Sequence, residues 1–414
     1  MTTAAGPLPS SIRGDQRSLA PDLARGAMLL LIALANTPWH LYGSAAGSST
    51  VHPTDGSVLD RAVQLVIITV VDSRVYPMFA FLFGYGIVQL YRRQRERGSD
   101  EPTVRRVLRR RHLWMIAFGL LHAALLWYGD ILGAYGLVGL ILVAGFLRRR
   151  DTTLVVWLAV LTGLIVIGSL LAVVGASLVA QMPAPEAAFA GLGMITAING
   201  IESWPASVPA RLTFWPLLVL GQGLFTLVIP VAVLAAFWAA RRGVLEHPEQ
   251  HLTLLRRVAA IGLPVAWVVG LAHALDHLGV LPVPDSVSWV FSVLQGSSGL
   301  AGGLGYVAVF GLLAARLRGH QPGPVVGAVT AVGKRSLSCY LAQSVLCAPL
   351  LAAWGLGLGA VLGSAATALF AVGVWLVTVA GAVLLERRGE RGPAETLLRR
   401  LSYGRPSGRG AVAG

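Results

Sequence analysis

Many long apolar runs, each close to the ~20 residues a helix needs to cross a bilayer, alternate with short arginine-bearing segments along nearly all of the 414 residues. Nothing constrains the fold more. In hydrocarbon every backbone N–H and C=O must be satisfied within the segment itself, so such runs become helices. The chain is 55% hydrophobic and 13% charged, with a mean hydropathy of +0.69, values outside every soluble globular class. The fold class read from the sequence is therefore all-α, a polytopic transmembrane helical bundle. The apolar run at 26–35 lacks a small-x-small cleavage pattern before the next polar residues, so it is expected to be an uncleaved first span and not a signal peptide.

About ten spans follow from the pattern. Span one covers 26–43, two 75–91, three 112–129, four 131–147 and five about 152–175. Span six covers 213–240, seven 258–275, eight about 288–315, nine about 336–354 and ten 360–385. Residues 59–91 are too long for one crossing, since at ~1.5 Å per residue they would reach ~48 Å against a ~30 Å core. A split at Asp72-Ser73-Arg74 leaves 59–72 as a re-entrant or interfacial helix. The expected organisation is an N-terminal segment (1–24), a bundle (25–388) and a basic tail (389–414) expected to lack order after Tyr403. The bundle includes a basic loop at 92–111 and a less hydrophobic outer segment at 176–212. No internal repeat is visible.

A net charge of +14 would suggest nucleic acid in a soluble protein, but the distribution points elsewhere. With both termini inside, 30 of the 33 Lys and Arg residues fall in cytoplasmic segments, leaving only Arg61, Arg74 and Arg211. This is the positive-inside pattern. The partners expected are the bilayer and anionic lipid head groups at the cytoplasmic face, with no nucleic acid. Cys339 and Cys347 lie eight apart in one apolar span, which reads as helix packing and not as a disulfide or metal site. No bound cofactor or metal is expected.

The arginines also act as depth rulers. Arg25 to Asn36 and Arg111 to His122 are each eleven residues, ~16 Å at the helical rise and so near the midplane. Gln343, nine residues past Lys334, lies at ~13 Å. Asp130 and Arg74, 19 and 18 residues from Arg111 and Arg92, reach the outer edge at ~27–28 Å. Asp72, His273, Gln222 and Gln295 belong to the same outer layer. An ionisable residue within a span is a functional-site hypothesis by default, and His122 is the leading one. Arg74 is expected to pair with Asp72 or Asp130, and one cavity opening outward and closing near His122 would serve both layers. Plainer readings are that His122 bonds a neighbouring helix, that His40, His52 and His273 are interfacial or loop residues, and that Asp130 caps span four.

Several stretches carry a family resemblance. Asp22-Leu-Ala-Arg25-Gly26 leading to Asn36, Phe81-Leu-Phe-Gly-Tyr-Gly86, Phe118-Gly-Leu-Leu-His122 and Trp127-Tyr-Gly-Asp130 stand in that order. Gly333-Lys-Arg-Ser-Leu-Ser-Cys-Tyr340-Leu-Ala-Gln343-Ser344 and Gly392-Pro-Ala-Glu395 follow. Together they resemble the YeiB-like family, the domain of unknown function 418. That family is distantly similar to transmembrane acyltransferases of the acyltransferase-3 and heparan-glucosaminide N-acetyltransferase type. Those proteins move an acyl group from cytoplasmic acyl-CoA to a lipid- or surface-linked acceptor using a histidine, whose place here holds Asn36. The resemblance implies acyl-CoA as co-substrate, with His122 as general base, Asn36 and Gln343 as orienting groups, and Asp130 and Arg74 at the acceptor entrance. Asp72, Arg25, Tyr340 and Ser344 complete the candidate substrate-binding set. The alternative is a transporter or exporter of a small polar or lipidic solute, using the same cavity as its binding site.

Overall fold

The computed structural model describes residues 19–182 and 191–403. The polar N-terminus up to residue 18, the tail beyond 403 and residues 183–190 of the expected outer segment lie outside the described residues. The described chain is helical, with one isolated bridge, Ala46 to Pro53. The first half comprises α1 (Leu19–Asn36), α2 (Val58–Val66), α3 (Val75–Glu96), α4 (Glu101–Leu125), α5 (Leu132–Phe146), α6 (Asp151–Val179) and α7 (Gly191–Thr196). The second comprises α8 (Trp204–Leu220), α9 (Val228–Arg241), α10 (Leu252–His277), α11 (Asp285–Leu317), α12 (Pro324–Lys334), α13 (Ser336–Leu351), α14 (Ser364–Arg387) and α15 (Pro393–Tyr403).

Six helical stretches are long and apolar enough to cross a membrane: Leu19–His40, Val58–Glu96, Asp151–Val179, Pro248–His277, Asp285–Leu317 and Ser364–Arg387. The chain is a polytopic helical membrane protein. Helix α6 buries only Leu154 and Ala176, packs Leu158, Leu161 and Ile165 partly against the core, and turns most of its remaining apolar surface outward, as a lipid-facing helix does. Helix α9 is its opposite: nearly all of it is buried, Val233, Leu234 and Phe237 completely. It packs on α3 and forms the centre of the core.

Three expectations need correction. Residues 92–111 are not a long loop: α3 runs on to Glu96 and α4 starts at Glu101, because arginine is a good helix former and Pro102 suits the first turn of α4. Span six is not one helix, for α8 and α9 meet at a 51° bend. There a π turn (Gly221–Phe225) ends in Leu227, which sits at φ 60° in the left-handed region. The segment 316–335, expected to be a connection, contains α12, whose apolar residues pack along α1. That crossing is close, since a Cβ on Gly26 would collide with the Val329 carbonyl and one on Gly333 with the Asp22 carbonyl.

The expected split at 72–74 is present. Helix α2, opened by a Ser57/Asp60 capping box, passes into a π turn (Ile67–Val71) and stops at Ser73, whose φ is 62°. Arg74 follows, completely buried, and it pairs with neither Asp72 nor Asp130 through their carboxylates. Its guanidinium donates instead to the backbone carbonyls of Ile68 at 3.3 Å, Asp72 and Ala266. Freed carbonyls at a helix break must find donors inside the protein when lipid surrounds it, and one planar group with five N–H bonds supplies them. Gly270 and Gly302 leave the room, because a Cβ on either would strike the Arg74 side chain.

On the side of the bundle where α3 ends, the α9–α10 connection clasps α3. Tyr85 Oη accepts from the Leu245 N–H at 2.9 Å and donates to the Glu246 carboxyl, which also accepts from Gln89 Nε2 at 2.9 Å. Burial pushes the Glu246 carboxyl up from 4.5 to about 7.

Two outcomes follow. Arg74→Leu removes a donor from the carbonyls of Ile68, Asp72 and Ala266. Ile68 keeps Gln295 Nε2 at 3.1 Å, and a buried carbonyl left without any donor costs about 1–3 kcal/mol. The thermal unfolding midpoint of the purified protein in detergent should therefore fall by the equivalent of at least about 2 kcal/mol, and Arg74→Lys should fall between. For Glu246, the unfolded chain releases the proton near 4.5 and the folded chain near 7. The stabilisation is then full below the lower value and lost as pH rises through the upper one. The midpoint should drop between pH 5 and pH 8, and Glu246→Gln should flatten that dependence.

Candidate functional site

The α4–α5 hairpin brings together two residues that the depth ruler placed in different layers. Helix α4 ends as the His122 carbonyl accepts from both the Leu126 and Trp127 N–H groups, at 2.9 and 3.0 Å. The chain turns through Gly129, and Asp130 points back: its Oδ1 lies 2.8 Å from His122 Nδ1. Asp130 Oδ2 accepts from the Gly133 N–H at 2.9 Å, capping the first turn of α5, and from Trp215 Nε1 at 3.2 Å. Capping and histidine pairing thus coexist in one carboxylate. An acceptor holding three donors fixes the tautomer: His122 carries its proton on Nδ1 and leaves Nε2 as a lone-pair site. That Nε2 is buried without a hydrogen-bond partner among the described residues. Asp130 is completely buried and lines no entrance, correcting the expected outer-edge role.

A cavity of about 330 Å³ lies where the C-terminal end of α1 meets the N-terminal end of α3. Its lining combines aromatic rings (Trp39, Tyr76, Phe79, Trp127 and Tyr340) with polar groups (Ser49, Asp72, Gln222, His273 and Gln295). Of these, Ser49, His273 and Gln295 are hydrogen-bonded to one another as a polar wall. Asn36, Trp127 and Tyr340 also line a second pocket of about 20 Å³ together with His40, Gln343 and Ser344. That volume suffices for about one water. The Tyr340 ring lies 5.3 Å from the His122 imidazole, centroid to centroid, so the tyrosine stands between the histidine and both spaces. Tyr340 Oη, Trp127 Nε1 and His40 Nδ1 are all buried without partners among the described residues. Native proteins seldom leave such groups unpaired, and four in one neighbourhood, counting His122 Nε2, mark a place built to receive something polar.

The structure gathers Asn36, Tyr340, Gln343 and Ser344 around the small pocket, with Gln343 Nε2 held by the Leu29 carbonyl at 3.0 Å; of these, Tyr340 touches His122. It places Asp72 on the outer cavity, its carboxylate 2.9 Å from His52 Nε2, and Arg74 behind the wall. Sequence reasoning gave His52 and His40 only an interfacial or loop reading and passed over Trp215. His40 stacks on Trp127 at 4.1 Å and is buried, not interfacial. The available signal for Trp215 was weak, since only the fold carries it from α8 to the hairpin.

Arg25 is not at this site. It donates to Asp22 at 3.1 Å and to the Leu82 carbonyl at 2.9 Å. There it lines a cavity of about 290 Å³ at the opposite ends of α1 and α3, together with Arg93, Arg111, Lys334 and Glu395. The Glu395 carboxylate accepts from the Leu337 and Ser338 N–H groups at 2.8 and 3.1 Å, and with Asp22 it sets two carboxylates against four cations in the lining, which is net positive. Phe79 lines both this cavity and the outer one. Its ring stacks on Tyr135 at 4.8 Å, and Tyr135 Oη donates to the Tyr76 carbonyl at 2.9 Å.

Among known proteins, residues 239–405 match the family model described as Protein of unknown function (DUF418). The uncharacterized protein YxaH of Bacillus subtilis (strain 168) is 27% identical over 399 residues, covering 92% of this chain and 93% of its own. The uncharacterized protein YeiB of Escherichia coli (strain K12) is 27% identical over 424 residues, covering 94% and 96%. An uncharacterized 39.9 kDa protein in the amylase 3' region of Bacillus acidopullulyticus is 29% identical over 140 residues, 34% of this chain and 37% of its own. These matches bear out the resemblance read from the motifs: over nearly its whole length, this chain is similar to the YeiB-like DUF418 family.

Proposed function

We propose that this protein is an acyltransferase of the plasma membrane, with about ten spans and both termini cytoplasmic, that moves an acyl group from cytoplasmic acyl-CoA to a membrane- or envelope-linked hydroxyl or amine. The observation that carries the reading is the His122 Nδ1 to Asp130 Oδ1 bond of 2.8 Å, with Nε2 left unpaired. A carboxylate that fixes the tautomer and supports the developing imidazolium is how a histidine serves as general base. In the reaction the acceptor oxygen or nitrogen bonds the acyl carbon and gives its proton to His122 Nε2. The carbon–sulfur bond breaks, and the departing thiolate takes that proton. Tyr340 stands on the proton's path, and the amides of Asn36 and Gln343 orient the acceptor beside it. Arg25, Arg93, Arg111 and Lys334 in the basic cavity hold the phosphates of CoA by charge-assisted hydrogen bonds, and the arginine-rich face rests against anionic lipid.

A second reading, export of a small polar or lipidic solute, draws on a different observation. Two cavities at opposite ends of the same helices share one lining side chain, Phe79, a layout that alternating access also uses.

With radiolabelled acyl-CoA and the purified protein, label transfer or CoA release should fall about 10²- to 10⁴-fold in His122→Ala. Asp130→Asn should lose at least about tenfold, because the tautomer is no longer imposed. Absence of any thioester cleavage by the wild type, alongside solute uptake into proteoliposomes, would overturn the acyltransferase reading in favour of transport. Arg111→Gln should raise KM for acyl-CoA about tenfold with little change in kcat, the signature of lost uniform binding.

A further inference from the structure

The polar wall of the outer cavity contains a second histidine arrangement that the His122 site does not use. The segment between α1 and α2 folds back on itself, with the Gly47 N–H bonded to the His52 carbonyl at 3.0 Å and the Thr54 N–H to the Ala45 carbonyl at 3.1 Å. Its tip, Ser49-Thr50, is pressed into the bundle: Ser292 Oγ donates to the Ser49 carbonyl at 2.6 Å. Ser49 Oγ then lies 3.0 Å from His273 Nε2. On the other side of that ring, His273 Nδ1 faces Gln295 Oε1 in a short contact. All three residues are buried, and all three line the cavity.

The amide of Gln295 settles which way the protons run. Its Nε2 donates to the Ile68 carbonyl at 3.1 Å, so the oxygen is the end turned to the histidine. An oxygen can only accept. His273 therefore carries its proton on Nδ1, its Nε2 holds a lone pair, and the Ser49 hydroxyl is the donor across the 3.0 Å contact. The longer Ser49 contact, 3.3 Å to Asp276 Oδ2, competes for the same proton from a carboxylate already served by Ser288 at 3.1 Å. Nucleophile, base and an orienting side-chain amide in that sequence form the arrangement that activates a nucleophile on several unrelated folds, where an amide also takes the orienting place.

We infer that Ser49, His273 and Gln295 form a nucleophilic centre on the outer cavity that accepts acyl groups from an ester or thioester. Ser49 Oγ bonds the acyl carbon and its proton passes to His273 Nε2. The bond to the leaving alcohol or thiol breaks, and the leaving group takes the proton from His273. Water or an acceptor hydroxyl then attacks the serine ester by the same steps in reverse and restores Ser49. Gln295 is a positioning residue, acting only through the ring it orients. The inference does not rest on the His122 reading, since Ser49 reacts whether or not acyl-CoA is a substrate.

The test uses the full-length protein in detergent and a fluorophosphonate probe, which forms an oxygen–phosphorus bond with an activated serine as fluoride departs. Peptide mapping of the labelled wild type should put the adduct on Ser49, and Ser49→Ala should lose it. His273→Gln should slow labelling about 10²-fold or more. Gln295→Leu should slow it at least tenfold, and Gln295→Glu, which keeps an acceptor toward Nδ1, should restore it with the thermal midpoint of Gln295→Leu unchanged. Mapping of the wild type needs no variant to fold. An adduct on another serine, or no adduct above that of the heat-unfolded protein, would overturn the assignment. Labelling of Ser49 that persists in His273→Gln would overturn the role of the base.

Discussion

The guanidinium of Arg74 sits where a helix stops inside the bundle, and its donors close the backbone account of that break. A carboxylate partner would have neutralised its charge, but carbonyls from the π turn, from Asp72 and from α10 spread that charge over several dipoles and tie separate segments together. A buried cation is costly unless hydrogen bonds compensate it, and here both Nη atoms are bonded while Nε finds no partner among the described residues. Glycines at 270 and 302 make the tight enclosure sterically possible. Because the break is held, Asp72, Ser73 and Val75 face the outer cavity beside Tyr76 and Gln295. The polar wall of the cavity is thus a consequence of how one arginine is buried.

Much of this was legible in the sequence, for a definite reason. Helical rise is constant, so counting from the arginines gave depth: Asn36 and Gln343 share one pocket, and Tyr340, which lines it with them, touches His122. Counting gives no azimuth, however, and it treats every span as perpendicular and continuous. Asp130 and Arg74 share a depth yet face different partners, Asp130 toward His122 and Arg74 toward backbone. The His122–Asp130 pair was missed because the turn after α4 folds the carboxylate back toward the midplane layer, undoing the rise that separated them. Helix α12 and the bend between α8 and α9 were illegible for another reason. The first hides in a stretch of small apolar residues too short to count as a crossing, and the second depends on the left-handed backbone of Leu227, which leucine does not advertise.

The outer cavity joins two kinds of surface. Its aromatic wall leads to Tyr340 and so to the His122–Asp130 pair, while its polar wall carries Ser49, His273 and Gln295. Each histidine has its Nδ1 committed to an acceptor, one to a carboxylate and one to an amide oxygen. The other nitrogen is unpaired in His122 among the described residues and faces Ser49 Oγ in His273. The partners differ in strength: an ionised orienting group stabilises a protonated ring far more than a neutral one does. One ring, His273, lines the outer cavity, and the other, His122, lies behind Tyr340.

The shared side chain Phe79 has an electrical consequence. Two cavities at opposite ends of α1 and α3 leave only a thin apolar layer at Phe79 between them, and water in both would carry a high dielectric deep into the bundle. The transmembrane potential then falls across the thin apolar layer that separates them and not across the full ~30 Å of hydrocarbon. A charge moved past that layer experiences nearly the whole field, ~2.3 kcal/mol per elementary charge for each 100 mV. The Phe79–Tyr135 stack would in that sense be the plate separation of a capacitor, the place where a membrane potential across two hydrated cavities is concentrated.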